Sequence, residues 1–283
     1  MLFFRKTARL PLGVDLGPDE ISIVATAITP KGLEVTEAVA RAVPRVGPDV
    51  EATIRETLRA LLLEMKTTER RCIIAAPLGE VTTRVFRAPP GMGRSEAARA
   101  ATLEADAIAN WPSGERIVAL DPIPGRPNEL LLSIARNATI ARRVSVAQLA
   151  GLLPVAVDVP ACAWQRALPR IDAVLDIRSE RAALIIFGKP IGLVELLAPR
   201  LVDERLVAQV RSTLIQARRD GVSDVQHVAI AGPPARRVAI EPLLLSDGYA
   251  VEPVRLGGEE AAPWALALGL AMWSTAPQGL RVA

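Results

Sequence analysis

The chain is constrained first by a pattern that it uses twice. Leu12 to Leu16 and Ile21 to Ile28 are apolar, β-branched runs on either side of Gly17-Pro18-Asp19. That is the signature of two antiparallel strands joined by a tight turn. Asp15 falls near the end of the first run and Gly17 follows it. A carboxylate there can hold a magnesium ion, and a residue without Cβ lets the backbone approach a phosphate, so the hairpin reads as a phosphate-binding one. The pattern returns 161 residues later as Val174-Leu175-Asp176-Ile177, a polar turn, and Ala182 to Phe187. Two such halves predict two lobes facing each other across a cleft, with Asp15 and Asp176 as equivalents that point inward. Two unrelated buried strands, each ending in Asp, would give the same local pattern.

A core large enough for that arrangement is available, because 50% of the 283 residues are hydrophobic. The longest apolar candidate for a membrane span, Trp264 to Trp273, is about half the roughly 20 residues needed. Met1-Leu2-Phe3-Phe4-Arg5-Lys6 is too short for the apolar region of a signal peptide, so export is not expected and the cytoplasm is the default. The two cysteines, Cys72 and Cys162, lie in apolar surroundings and suggest a reducing compartment rather than a disulfide framework. His227 is the one histidine, which excludes a His-cluster metal site; it reads as structural. The net charge of +3 is spread without runs and aromatics make up 3%, so there is no stacking platform for bases and no nucleic acid is expected.

Along the chain, Leu33 to Val39 supplies a third strand and Glu51 to Lys66 an amphipathic helix, with Leu58, Leu61, Leu62 and Met65 at helical spacing. Arg71 to Ala76 is an apolar strand. The pattern then breaks. Val81 to Phe86 reads as a strand, Ser95 as the N-cap of an alanine-rich helix to about Asn110, Glu115 to Leu120 and Leu130 to Ala135 as strands, and Arg142 to Leu152 as a helix. This is a strand, helix, strand, strand, helix unit inserted into the first lobe. Pro154 to Val159 resumes the lobe and Pro160 opens a short helix. The second lobe begins at Ile171 and continues through a strand at Ile191 to Leu196, a helix at Leu201 to Arg219, a strand at Gln226 to Ala231 and a rigid Gly232-Pro233-Pro234 turn. Tyr249 to Val254 is another strand, and Pro263 starts a closing helix that buries Leu266, Leu270 and Trp273.

Five stretches carry a family resemblance. They are Met1 to Phe4 before a basic step, Gly13-Val14-Asp15-Leu16-Gly17, Phe86-Arg87-Ala88-Pro89-Pro90, Leu153-Pro154-Val155-Ala156-Val157-Asp158-Val159, and Ala267-Leu268-Gly269-Leu270-Ala271. Together they resemble the PilM-type proteins of type IV pilus assembly, relatives of the cell-division protein FtsA in the actin, sugar-kinase and chaperone ATPase superfamily. The resemblance implies an α/β, actin-like fold of two ribonuclease-H-like lobes, with residues 1–80 and 154–170 forming the first (1A) and residues 171–283 the second (2A). Residues 81–153 would form the inserted α+β subdomain called 1C. It implies a nucleotide site at Asp15, Gly17, Asp158, Asp176, Arg178 and Gly232. It also implies a PilN-like, membrane-anchored partner bound through its cytoplasmic N-terminal peptide, which would place the protein peripherally at the inner membrane; a homo-oligomer is compatible with the same reading.

The departures from the family pattern all fall on the nucleotide. Pro18 lacks an N–H, and Asp19 and Glu20 repel phosphate. Where the family has Asp-X-Gly, this chain has Asp176-Ile177-Arg178, although an arginine can itself meet a phosphate. The adenosine-side Gly-Gly is Gly232-Pro233, and the stretch between Leu196 and Val228 has room for one helix rather than the small 2B subdomain. The expectation is a scaffold of the pilus or a related type II secretion platform that is not an enzyme, with no catalytic residue, no metal site and no required cofactor. Two alternatives stand beside it: a PilM-type protein that still binds ATP and magnesium with weak ATPase activity, and a small-molecule kinase of the same superfamily.

Overall fold

The computed structural model describes residues 8–44, 49–123, 126–178, 182–187, 194–197, 203–232, 234–256, 259–260, 263–273 and 280–281. Met1 to Phe4, Pro233 and the first three residues of the strand expected at Ile191 to Leu196 lie outside the described residues. In chain order the elements open with β1 (Ala8–Arg9), β2 (Leu12–Leu16), β3 (Glu20–Thr29), β4 (Gly32–Ala42), α1 (Val50–Glu64) and β5 (Arg71–Ala75). There follow β6 (Val81–Arg87), α2 (Arg94–Ile108), β7 (Arg116–Ile123), β8 (Arg126–Arg136), α3 (Asn137–Leu149), β9 (Leu153–Asp158) and α4 (Pro160–Ala167). The remainder is β10 (Ala173–Ile177), β11 (Ala182–Ile186), β12 (Val194–Leu197), α5 (Asp203–Arg219), β13 (His227–Ala231), α6 (Pro234–Ser246) and β14 (Ala250–Glu252), then β15 (Arg255–Leu256), β16 (Glu259–Glu260), α7 (Ala265–Ala271) and β17 (Leu280–Arg281).

Two sheets repeat one plan. In the first, β4, β3 and β2 are antiparallel neighbours, and β5 and β9 continue parallel to β2. In the second, β12, β11 and β10 are antiparallel, and β13 and β14 continue parallel to β10. The helices follow suit: α1 and α5 each precede the first parallel strand, α3 and α6 the second, and α4 and α7 come after it. β2 and β10 hold the same central place, which is why both are buried along their whole length.

Local chemistry explains the element ends. Asp49 caps α1 by accepting the Ala52 N–H at 2.9 Å. Pro160 sits at the start of α4, where its missing N–H costs nothing. The cap expected at Ser95 is instead Gly93: Glu96 reaches back to accept the Gly93 N–H at 3.0 Å, which fixes the start of α2 two residues earlier. The closing helix begins at Ala265 rather than Pro263 and is buried on every side, not along a single stripe.

The third sheet, β6–β8–β7, packs Phe86, Leu132 and Ile134 against Ala97, Ala101 and Ala105 of α2 and has a core of its own. α3 differs from the sequence expectation. It starts at Asn137, not Arg142, and buries Ile140, Val146 and Ala147 with Leu58, Leu61 and Ile74 under the first sheet. It therefore belongs to the repeated plan, not to the inserted unit. Between the two large sheets lie α4 and α7, where Trp164 and Leu270 share one cluster with Ile73 and Ala156 from one sheet and Val174 and Ala229 from the other. This shared core sets the floor of the cleft.

Candidate functional site

Asp15 is the penultimate residue of β2 and Asp176 the penultimate residue of β10, so the repeated plan delivers one carboxylate from each sheet to the cleft. Arg178, the first residue past β10, lies between them. Its Nε donates to Asp176 Oδ1 at 2.7 Å, and its Nη2 donates to Asp176 Oδ2 at 3.3 Å and to Asp15 Oδ2 at 3.1 Å. Both carboxylates are nearly removed from water, Asp15 at 7% and Asp176 at 2% exposure. Burial pulls the guanidinium pKa down, but Asp176 and Asp15 outweigh it and hold the group above its ordinary value. Glu20, on the neighbouring strand, is pushed up by burial; Arg178 opposes this, and Asp15 and Asp19 reinforce it.

The backbone around the cluster is close-packed. A Cβ on Gly17 would stand 2.5 Å from the Glu20 carbonyl oxygen and 2.9 Å from Arg178 Nη1, so the close approach that glycine permits here is to the protein's own chain. Gly232, at φ +144°, lies under the same strand end, and a Cβ there would meet the Ile177 carbonyl oxygen at 2.6 Å. Arg143 of α3 donates to the Leu16 carbonyl oxygen from the first sheet's side. The cavity that remains is about 30 Å³, lined by Pro18, Ala75, Ala76, Pro160 and Leu266 beside the charged groups.

Asp158 is turned to other work. Its Oδ1 accepts the Val159 N–H at 2.8 Å, and its Oδ2 accepts from Arg166 of α4, whose Nε donates to the Gly269 carbonyl oxygen at 2.9 Å. Burial lowers the Arg166 guanidinium to about 10. The pair ties the end of β9 to α4 and α7, two strands away from Asp15, or roughly 10 Å by sheet spacing. Of the six site residues expected from sequence, the structure gathers Asp15, Gly17, Asp176 and Arg178 into one cluster, sets Gly232 beneath it, and engages Asp158 in a separate ion pair. Sequence reasoning missed Arg143 and Arg166, since neither sits in a motif. Among the described residues no three His, Cys, Asp or Glu side chains are grouped as metal ligands. His227 lies exposed at a strand end with Nδ1 3.3 Å from Glu252.

Two α/β lobes of one plan, joined through a shared helical floor and bringing paired aspartates to a cleft, define the actin-like ATPase fold. Within that class the chain belongs to the family described as type IV pilus assembly protein PilM, whose model matches residues 13–196. The structure is similar to that of a chain in a PilM-PilN type IV pilus biogenesis complex, at TM-score 0.74 and 20% identity, covering 94% of this chain and 99% of the other. It is also similar to the cytoplasmic domain of EpsL, an inner membrane component of the type II secretion system of Vibrio cholerae, at TM-score 0.50 and 12% identity, covering 80% and 83%. No curated protein sequence matches the chain.

Proposed function

We propose that this chain is a scaffold of the type IV pilus assembly platform. It binds the cytoplasmic N-terminal peptide of a PilN-like, membrane-anchored protein and is held at the inner membrane by that partner. The observation that carries the reading is the end-to-end likeness to a chain of the PilM-PilN complex. Among the described residues no helix is long and apolar enough to cross a membrane, in keeping with attachment through a partner. The three-stranded sheet of the inserted unit leaves β6 and β7 as its edges. A short peptide can dock on such an edge through backbone hydrogen bonds and alternate side chains, a mode that needs no nucleotide.

The same reading holds that the protein is a pseudo-ATPase. Its cleft residues do not fit a magnesium nucleotide. The two carboxylates that would face the metal already share the Arg178 guanidinium. Pro18 offers no N–H to a phosphate, and Glu20 adds a like charge. Two lost phosphate donors at roughly 1 to 3 kcal/mol each weaken binding by about 30-fold to 10⁴-fold before repulsion is counted. Titration calorimetry tests both halves. The N-terminal peptide of the PilN-like protein should bind the purified chain, while MgATP should give no measurable heat. Failure of the peptide to bind sinks the scaffold reading, and a low-micromolar MgATP isotherm sinks the pseudo-ATPase reading.

A further inference from the structure

We propose that Arg178 is a built-in clasp: a tethered cation that holds the two lobes closed across the cleft without any ligand. The inference deepens the pseudo-ATPase reading and rests on it.

Three features of the geometry carry it. First, Arg178 belongs to the second lobe, yet its Nη2 donates at 3.1 Å to Asp15 of the first, 163 residues away in sequence. Its Nε meanwhile stays anchored on Asp176 at 2.7 Å. One planar guanidinium therefore reads both lobes at once, as only a fork of fixed donors can. Second, the site is shaped around that side chain. Gly17 leaves space in which a Cβ would stand 2.9 Å from Nη1. Third, the clasp lies above the floor where α4 and α7 join the sheets in a continuous apolar cluster. That floor can act as a hinge, and the ion triad closes its open side.

The charge balance makes the clasp necessary. Asp15 and Asp176 are buried at 7% and 2% exposure, with Glu20 a third carboxyl beside them. Without Arg178 these carboxylates lose the guanidinium that bridges them, and the repulsion between them drives the lobes apart. A divalent ion does not enter while the arginine is present, because it would have to displace a cation that the chain cannot release.

The test measures the distance between the lobes in the full chain, with spin labels at Lys31→Cys in the first and Glu241→Cys in the second. Both positions are exposed, whereas Cys72 is buried and Cys162 is partly covered with its thiol pushed up to about 12. The parent should give one narrow distance that MgATP leaves unchanged. Arg178→Met should broaden and lengthen it and lower the melting temperature by roughly 6 to 12 °C. Arg178→Lys, which keeps the charge but reaches one carboxylate at a time, should fall between. If Arg178→Met does not fold, the triple variant Asp15→Asn/Asp176→Asn/Arg178→Met removes the clasp and the repulsion together. It should fold with a broadened distance. The same narrow distance in that variant or in Arg178→Met overturns the clasp and leaves the pseudo-ATPase reading standing. A distance change on adding MgATP to the parent overturns both.

Discussion

Gly13 and Ala267 meet backbone to backbone. A methyl group added at Gly13 would stand 1.8 Å from the Ala267 carbonyl oxygen and 2.4 Å from the Ala271 nitrogen. On the other side of the same helix, a methyl at Gly269 would stand 1.9 Å from the Ala163 carbonyl oxygen of α4. Two stretches that carry the family resemblance from opposite ends of the chain are thus the two sides of one contact. α7 is wedged between β2 and α4, and Asp15 stands two residues beyond the wedge.

Gly13→Ala and Gly269→Ala should each destabilise the fold by about 3 kcal/mol or more, because the atoms in the way are backbone and cannot rotate aside. Gly114→Ala is the control. Nothing lies within 4 Å of a Cβ there, and its effect should stay within about 0.5 kcal/mol. Urea unfolding of the three variants decides the matter, and equal midpoints would remove the wedge from the account of the fold.

The parts of the fold visible in the sequence are those whose signal is local. The β2–β3 and β10–β11 hairpins announce themselves through a repeated apolar run, Asp and turn, and both aspartates arrive at the cleft. α6 was not legible, because Pro234 and Pro242 within Pro234–Ser246 read as breakers. Pro234 occupies the tolerant first position. Pro242 lies on the outer face, where the carbonyl it leaves unpaired, that of Val238, belongs to a residue 71% exposed that water can serve. α3 departs from expectation for a different reason: its helical pattern is readable, but whether a helix packs on the first sheet or on the insert is a tertiary matter. The same holds for the cluster. An arginine where a glycine was expected could be seen in the sequence, but not that it would reach back to Asp15.

Acid stability should depend on Glu69, which sits just before β5. Its carboxylate is held down to about 2, chiefly by side-chain hydrogen bonds from Arg71, with burial opposing and the backbone N–H groups of Arg71 and Arg70 adding to the effect. The folded pKa lies below the unfolded one near 4.5, so the unfolded chain binds more protons between them and stability rises with pH there. The contribution is complete above about 4.5 and is lost as pH falls toward about 2. Glu69→Gln should therefore unfold at lower urea than the parent at neutral pH, with the gap closing across that window. A gap that stays constant to pH 2 would show that the ion pair is not its source.

Both thiols should be inert in the native protein. Burial pushes Cys72 up to about 12, with the Glu69 charge adding to it, and burial does the same to Cys162, with Asp121 adding. At pH 8 the thiolate share of each is then about 10⁻⁴, and the thiolate is the reactive form. A chromogenic disulfide reagent should find essentially no fast-reacting thiol in the folded chain and both cysteines after denaturation in guanidinium chloride. One fast equivalent in native buffer would mean that one site opens readily, and single Cys→Ser variants would say which.

The attachment of the inserted unit allows a direct test of where the proposed partner docks. Val81 and Ala135 are cross-strand partners at the root of β6 and β8, so the chain enters and leaves the unit about 5 Å apart. Both also pack on the first sheet's core, together with α3, whereas Phe86, Leu132, Ile134 and α2 form a separate cluster. Replacing Thr82 to Ile134 with Asn-Gly should therefore remove the unit and its core while keeping Val81 and Ala135; Ile117, which also packs on the first lobe's core, is lost with it. The shortened protein should unfold cooperatively and fail to bind the PilN-like N-terminal peptide by calorimetry. Asp15→Ala and Asp176→Ala should still bind it, because the cleft carboxylates belong to β2 and β10 and not to the sheet whose edges are β6 and β7. A cooperatively folded excision variant that binds the peptide with parental affinity would move the docking surface to the second lobe and leave the edges of β6 and β7 without a role in assembly.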